Sequence, residues 1–407
     1  MKILILTQYF PPETGAPQNR LFELAIRLKN KGAEIIVLTA MPNYPQLEIY
    51  KEFKRKFYAV EEMDGLKVHR SWIYVNKNKT VLSRLLIYFS FVFSSLITGM
   101  IKIGRTDYII CESPPLFLGI TAFLLSRIKR SKMVFNVSDL WPESAEKLNI
   151  IRNKSLLAIA SSLEEFLYRK SFFITGQTNG IVKNISERVP GKKVHWIPNG
   201  ADFSFYHPDG HDSNWRQKNG FKGTDILFLY AGIMGHAQGL DIIISAAEKI
   251  KNNREVKFIL LGEGPLKNDL LQMKNSKGLE NVLFLDGVPK SQMPFIIKAV
   301  DAGIIPLKKI DLFLGAIPSK IFELLAMKKT ILLGVDGEAR ELFIEEGKCG
   351  LFFAPGDADH LVEQIGVMIN DIPGMKAMGE RGCEYVRKNF NRNEIAEYLW
   401  QQLQQKK

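Results

Sequence analysis

The chain has 407 residues, too many for one ordinary hydrophobic core, so two domains are expected. It is 46% hydrophobic and 24% charged, which excludes a disordered chain. Its three cysteines, Cys111, Cys349 and Cys383, show no metal spacing; their odd number, with no secretory signal, argues against a disulfide framework and for a reducing cytoplasm. The six histidines show no ligand-like grouping either. The formal net charge is +12. Basic residues cluster at Lys51, Lys54, Arg55 and Lys56, and again near Arg84, Lys102 and Arg105. Both clusters lie beside the most apolar stretch, which favours an anionic membrane surface over nucleic acid as the partner.

The first half alternates short apolar runs with helical stretches, the pattern of a parallel sheet covered by helices. Strands are predicted at Lys2–Thr7, Glu34–Thr39, Lys67–Ile73, Tyr108–Cys111, Met133–Val137, Phe172–Thr175 and Val194–Ile197. The opening apolar run is too short for a signal peptide and reads as a first buried strand. The loop after it, Gln8 to Arg20, lies at the carboxyl end of a strand, where open α/β sheets bind ligands, and a helix begins near Asn19. Gly15 lets a phosphate or sugar approach the backbone; taken alone, it is an ordinary loop glycine.

Leu85–Ile101 carries no charge over about 17 residues, the lower limit for a membrane span. Buried, interfacial and spanning helices all fit. The serines within it, and the division of one sheet that a span would force, rank spanning last. After the strand at Met133, Asp139 and Glu143 sit on the ligand side of the sheet. Asp139 reads equally as a ligand or base for a sugar hydroxyl and as a helix cap; Glu143 reads as structural.

Phe203 to Gly223 is irregular and reads as the linker. The second half restarts with strands at Asp225–Ala231, Val256–Leu261, Val282–Leu285, Gly303–Pro306 and Thr330–Val335. Glycines 232, 235 and 239 follow its first strand and precede a helix over Leu240–Lys251, the shape of a phosphate loop. They match neither the dinucleotide fingerprint nor a P-loop. At Pro318-Ser319-Lys320-Ile321-Phe322-Glu323, Pro318 fits the first position of a helix. Ser319 and Lys320 then sit where a helix start favours a phosphate, and Glu323, one turn after Ser319, is placed to accept from two sugar hydroxyls. The alternative is a solvated lysine and a dipole-stabilising glutamate. Together these features describe an enzyme whose substrate, bound in a cleft between two α/β domains, is phosphorylated and nucleotide-linked.

Three stretches, Tyr9 to Ala16, Ile197-Pro198-Asn199-Gly200-Ala201-Asp202 and Pro318 to Glu323, resemble the retaining glycosyltransferases of the GT-B class, family four. Asp139 to Ser144 and Gly235 to Leu240 further resemble a bacterial branch that builds surface polysaccharides and lipid-linked oligosaccharides, such as the N-acetyl-fucosamine transferases of O-antigen and capsule pathways. The resemblance implies an α/β GT-B fold of two Rossmann-like domains. Residues 1–200, with a crossing helix at about 385–407, would bind the acceptor, and residues 201–384 the nucleotide sugar.

It further implies transfer of an N-acetylated hexose or deoxyhexose from a UDP-sugar donor to a polyprenyl-diphosphate-linked saccharide. No metal or other cofactor is expected, and the enzyme would sit in the cytoplasm against the inner face of the membrane. Carried onto this sequence, Glu323 corresponds to the ribose ligand, Gly15 to the glycine nearest the donor, and Asn199 to the hinge asparagine. Gly235, Pro318 and Ser319 join the substrate-binding set.

The sequence departs from the family pattern at Gly315, where a sugar-binding glutamate is usual, and at Ile233 and Gln238, where diphosphate-binding cations are usual. Lys320 is the expected substitute cation, with Asp139 as the second catalytic residue. The alternatives are a nucleotide-sugar 2-epimerase and a non-catalytic sugar-binding assembly protein.

Overall fold

A computed structural model describes residues 1–405 except 14, 45, 78–79, 148–150, 152 and 211–213. Thr14 of the opening motif, part of the linker and the last two residues of the expected crossing segment thus lie outside the described residues. The chain divides into two units, Met1–Asn199 with Asn393–Lys407, and Gly200–Arg392.

The first unit is built on one sheet in the order β3-β4-β2-β1-β5-β6-β7-β8. Its strands are β1 (Lys2–Leu6), β2 (Glu34–Ala40), β3 (Tyr58–Met63), β4 (Leu66–Ser71), β5 (Tyr108–Ser113), β6 (Lys132–Val137), β7 (Phe173–Gly176) and β8 (Val194–Trp196). All pairings are parallel except β3 with β4. That hairpin corrects the expected set of strands. Asp64 and Gly65, at φ 49° and 71°, form a turn in which both central residues are left-handed, the geometry an Asp-Gly pair favours. The acidic residues of β3 masked its period in the sequence.

The helix after β1 is α1 (Ala16–Asn30), which starts earlier than expected because Pro17 occupies its first turn. The apolar stretch is α2 (Val81–Lys102), capped by Thr80, whose side chain accepts from the Ser83 amide. Phe91, Val92, Ser95, Thr98 and Gly99 form its buried face. That face meets α3 (Leu118–Lys129): Thr121 Oγ1 donates to the Val92 carbonyl at 2.8 Å. By length and a mean hydropathy of 1.7, Leu82–Lys102 is apolar enough to cross a membrane. Its two ends nevertheless connect β4 and β5 of a single sheet, so α2 packs along the unit.

The second unit is an all-parallel sheet in the order β11-β10-β9-β12-β13-β14. Its strands are β9 (Ile226–Ala231), β10 (Val256–Leu261), β11 (Val282–Leu285), β12 (Ala302–Pro306), β13 (Thr330–Gly334) and β14 (Gly350–Phe352). The three-residue β14 adds a strand not expected from the sequence.

The final helical region also differs from expectation. It breaks between Ile372–Asn389 and Arg392–Gln404. At the break, buried Phe390 packs against Phe322 and Phe343 at ring-centroid distances of 5.3 and 5.4 Å, and Ala201 takes the Phe390 carbonyl at 2.8 Å. The segment that joins the first unit therefore starts at Asn393, not near residue 385. There Leu399 and Leu403 bury beside Ile3, Ile5 and Val134, and Tyr108 donates its hydroxyl to the Leu403 carbonyl at 2.6 Å.

Candidate active site

In the second unit the candidate side chains stand near the carboxyl ends of the central strands. The loops leaving β9 and β10 are stitched together: the Gly232 amide donates to Leu261 at 2.9 Å and the Met234 amide to Glu263 at 2.8 Å. Gly262, at φ 139°, makes this approach possible, since a methyl group there would overlap the Gly232 carbonyl oxygen. Gly235 opens the short turn His236–Gln238 and keeps free space on its Cβ side, where the nearest atom is Ile233 Cγ2 at 3.6 Å. The Lys308 amide, past the end of β12, donates to Ala237 at 3.0 Å and fixes the turn to the neighbouring strand.

Lys320 reaches across this loop. Its Nζ lies 4.4 Å from the centre of the Tyr230 ring and donates to Gln238 Oε1 at 3.3 Å. Tyr230 donates its hydroxyl to the Ile233 carbonyl at 2.6 Å, and to the same Gln238 oxygen at 3.3 Å. The position where the family usually carries a cation thus holds an amide that positions the cation of Lys320. Ile233, at the other such position, is exposed. Burial pushes the Lys320 ammonium down to about 8, against the pull of the Glu323 charge. Lys320 and Glu323 line one small pocket with Leu229, Ala231, Met293 and Ile297.

The helix that carries them, Lys320–Ala326, has only seven residues. Ser319 is its cap and makes no side-chain capping bond, so Pro318 lies just outside the helix instead of at its first position. Its opening bonds are tight, Pro318 O to the Ile321 amide at 3.1 Å and Ser319 O to the Phe322 amide at 3.2 Å. The expected phosphate seat therefore rests on the Lys320 side chain and the glycine loop more than on a helix dipole. Gly315, in place of the usual glutamate, closes the short turn Asp311–Gly315 and is exposed.

In the first unit Gly15 precedes α1 with extended backbone, φ 170° and ψ 163°. The loop that carries it is held by Glu13. This buried carboxylate accepts from the amides of Asn43 at 2.8 Å, Tyr44 at 2.9 Å and Phe10 at 3.1 Å. Burial raises its pKa and the three amides pull it back. Asp139 follows β6 and keeps contact with solvent. The surrounding protein raises its carboxyl above the usual range, opposed by bonds from Ser144 and the Leu140 amide. Its bond to Ser144 ties Asp139 to the helix Glu143–Lys147. Asn199 is the last residue of the first unit's main segment.

Sequence reasoning missed the polar network beneath these loops. Glu112, Asn136 and Thr175 occupy the next-to-last positions of β5, β6 and β7 and are register partners. Arg20 of α1 donates to Glu112 at 2.6 Å and to Ser138 Oγ at 2.9 Å. Asn136 and Ser138 also donate to Glu112, and Thr175 donates to Asn136 at 2.6 Å. The Gln177 amide, oriented with its oxygen toward the guanidinium, accepts from Arg20 Nε at 2.8 Å. The available signal was one polar residue at the same place in three successive apolar strands. The network sets the α1 start and the ends of β5, β6 and β7 relative to one another.

Residues 211–385 match the family model described as glycosyl transferases group 1. The chain is 27% identical to the putative colanic acid biosynthesis glycosyl transferase WcaI of Escherichia coli K12, over 80% of this chain and 81% of that protein. Its fold matches sucrose-phosphate synthase of Thermosynechococcus elongatus with a TM-score of 0.76 and 14% identity, covering 98% of each chain. It also matches Anabaena HepE in complex with UDP and glucose, with a TM-score of 0.72 and 19% identity over 99% of each chain. The chain is a glycosyltransferase of the two-domain α/β GT-B fold, which sets aside the epimerase and the non-catalytic alternatives.

Proposed function

We propose that this GT-B glycosyltransferase moves an N-acetylated hexose or deoxyhexose, with retention of anomeric configuration, from a UDP-sugar to a polyprenyl-diphosphate-linked saccharide in bacterial surface-polysaccharide assembly. The observation that carries the donor half is the Lys320 ammonium, held at the carboxyl end of β9 against Tyr230 and Gln238 and one turn from the Glu323 carboxylate. An ammonium held by Tyr230 and Gln238 is ready for the charge that develops on a departing diphosphate. The adjacent carboxylate accepts from the ribose hydroxyls, and Pro318, Ser319 and the glycine loop with Gly235 frame the same ligand.

In the proposed reaction the acceptor oxygen bonds to the anomeric carbon on the face that the diphosphate leaves, as the bond from that carbon to the diphosphate breaks. The hydroxyl proton passes to the departing phosphate oxygen while Asp139 holds the hydroxyl. Gly15 admits the donor phosphate and sugar, and Asn199 serves as the hinge. Lys320 supplies the positive charge, so transfer runs without a metal ion and persists in a chelator.

UDP is the proposed donor nucleotide because solved HepE complexes hold UDP and UDP-glucose. The acceptor class is supported by WcaI, named for colanic acid, and by the O-antigen chain mannosyltransferase C of E. coli, 23% identical over 62% of this chain and 64% of that protein. The exposed apolar face of α2 and the basic clusters beside it support a cytoplasmic protein held at the inner face of an anionic membrane.

Calorimetric titration with UDP and GDP, without metal, tests the donor half. Micromolar UDP binding that vanishes in Glu323→Ala is expected. Absence of binding to either nucleotide refutes the reading.

A further inference from the structure

The segments 47–55 and 72–75 of the first unit line a groove of about 440 Å³. Ile49, Ile73 and Val75 give it an apolar lining, and Trp72 and Tyr74 contribute half-exposed aromatic rings. Lys54 and Arg55 also line it; both are exposed, and neither forms an ion pair among the described residues. The one lining carboxylate, Glu48, is held by Lys77 at 2.6 Å. The groove therefore presents two cations outside any described ion pair, with Lys54 also acting on the Glu48 charge, above apolar and aromatic surface.

It is also continuous with α2. Ser94 donates to the Trp72 carbonyl, and the Tyr74 amide donates to Ser90 Oγ at 2.9 Å. Two of the three serines that interrupt the apolar stretch thus tie one side of the groove to that helix. On the outer side of α2, Leu82, Leu86, Phe89, Phe93, Ile97 and Met100 form an exposed stripe at helical spacing, with Phe93 67% exposed. Exposed Lys102 and Arg105 follow at its end. An apolar stripe of this extent on a soluble face requires an apolar partner.

We infer that the groove binds the diphosphate and first isoprene units of the lipid that carries the acceptor saccharide. Lys54 and Arg55 face the diphosphate, Trp72 and Tyr74 flank the junction with the sugar, and the isoprenoid tail runs along the α2 stripe. The inference rests on the lipid-linked acceptor proposed above and locates its anchor. A flat anionic bilayer would need only the exposed cations. A groove with an apolar lining beneath those cations fits a phosphorylated single-chain amphiphile that enters it.

The test uses the full chain and phosphatidylcholine vesicles doped with polyprenyl diphosphate, compared with vesicles doped with phosphatidylglycerol to the same surface charge. Tighter binding to the polyprenyl-diphosphate vesicles is expected. The double variant Lys54→Ala/Arg55→Ala should lose that preference and about 25-fold in affinity, at about fivefold per cation near an anionic headgroup. Both positions are exposed, and unchanged thermal unfolding shows that the variant is folded. Equal binding of the natural chain to the two charge-matched vesicles overturns the inference, as does a double variant that keeps the preference. Failure of the natural chain to bind UDP instead refutes the transferase reading of the donor site and leaves the vesicle comparison to decide the groove separately.

Discussion

Replacing Lys320 by methionine tests the donor site most directly, because its charge is coupled to pH. The ammonium titrates at about 8 when the site is empty, displaced by burial from an ordinary 10.5. It is about 90% protonated at pH 7 and about 10% at pH 9. A bound diphosphate favours the ammonium and raises its pKa, so UDP binding takes up protons around pH 8. Affinity should fall about tenfold from pH 7 to pH 9, since one pKa unit corresponds to a factor of ten.

The linkage has the opposite sign for stability. In the unfolded chain the lysine stays charged up to its ordinary pKa, so burying it opposes folding. The penalty is full below pH 8 and shrinks as pH rises toward 10.5. Its upper bound is about 3 kcal/mol. Lys320→Met should therefore be more stable than the natural chain at pH 7 without nucleotide, yet bind UDP weakly and without the pH dependence. Its turnover should fall by about 10²–10³, as when one transition-state donor is lost. Calorimetry at pH 7, 8 and 9, in two buffers of different ionisation enthalpy, reads the proton uptake. A natural chain that takes up no proton near pH 8, or a methionine variant with the same pH slope, refutes the reasoning.

Three other perturbations address the framework and the surface. Arg20→Met leaves Glu112 buried without its cation and should cost about 3–5 kcal/mol in denaturant unfolding, whereas the same change at exposed Arg105 should cost little. Gly262→Ala forces a methyl group toward the Gly232 carbonyl at a positive φ; it should cost about 1–3 kcal/mol and weaken UDP binding in calorimetry. Phe93→Asp, on the exposed stripe of α2, should lower vesicle affinity by about 10–100-fold in flotation, the burial energy of one phenylalanine, with unchanged thermal stability. Salt should release the natural chain from anionic vesicles in the same assay.

Much of the architecture was legible because buried parallel strands are continuous apolar runs. Val256–Leu261 and Val282–Leu285 were located to the residue, and most other strands to within one or two. The exceptions follow from sequence features that conflict with period. The hairpin strand Tyr58–Met63 carries two glutamates, and Gly350–Phe352 is too short to show alternation. The break at Phe390 depends on aromatic rings far away in the chain, at Phe322 and Phe343.

By itself the sequence determined two α/β units, the loops at their strand ends, and the residue types gathered on the stretch from Pro318 to Glu323. These depend on local period, turn residues and the chemistry of single side chains. Tertiary structure decided which groups hold one another. It placed Gln238 and Tyr230 around the Lys320 ammonium, 82 and 90 residues away in the chain, and Arg20 on Glu112 across 92 residues. It also divided α2 into a face against α3 and an exposed face. Hydropathy alone reports how apolar a helix is, whereas the side that meets solvent is set by the neighbours against which it packs.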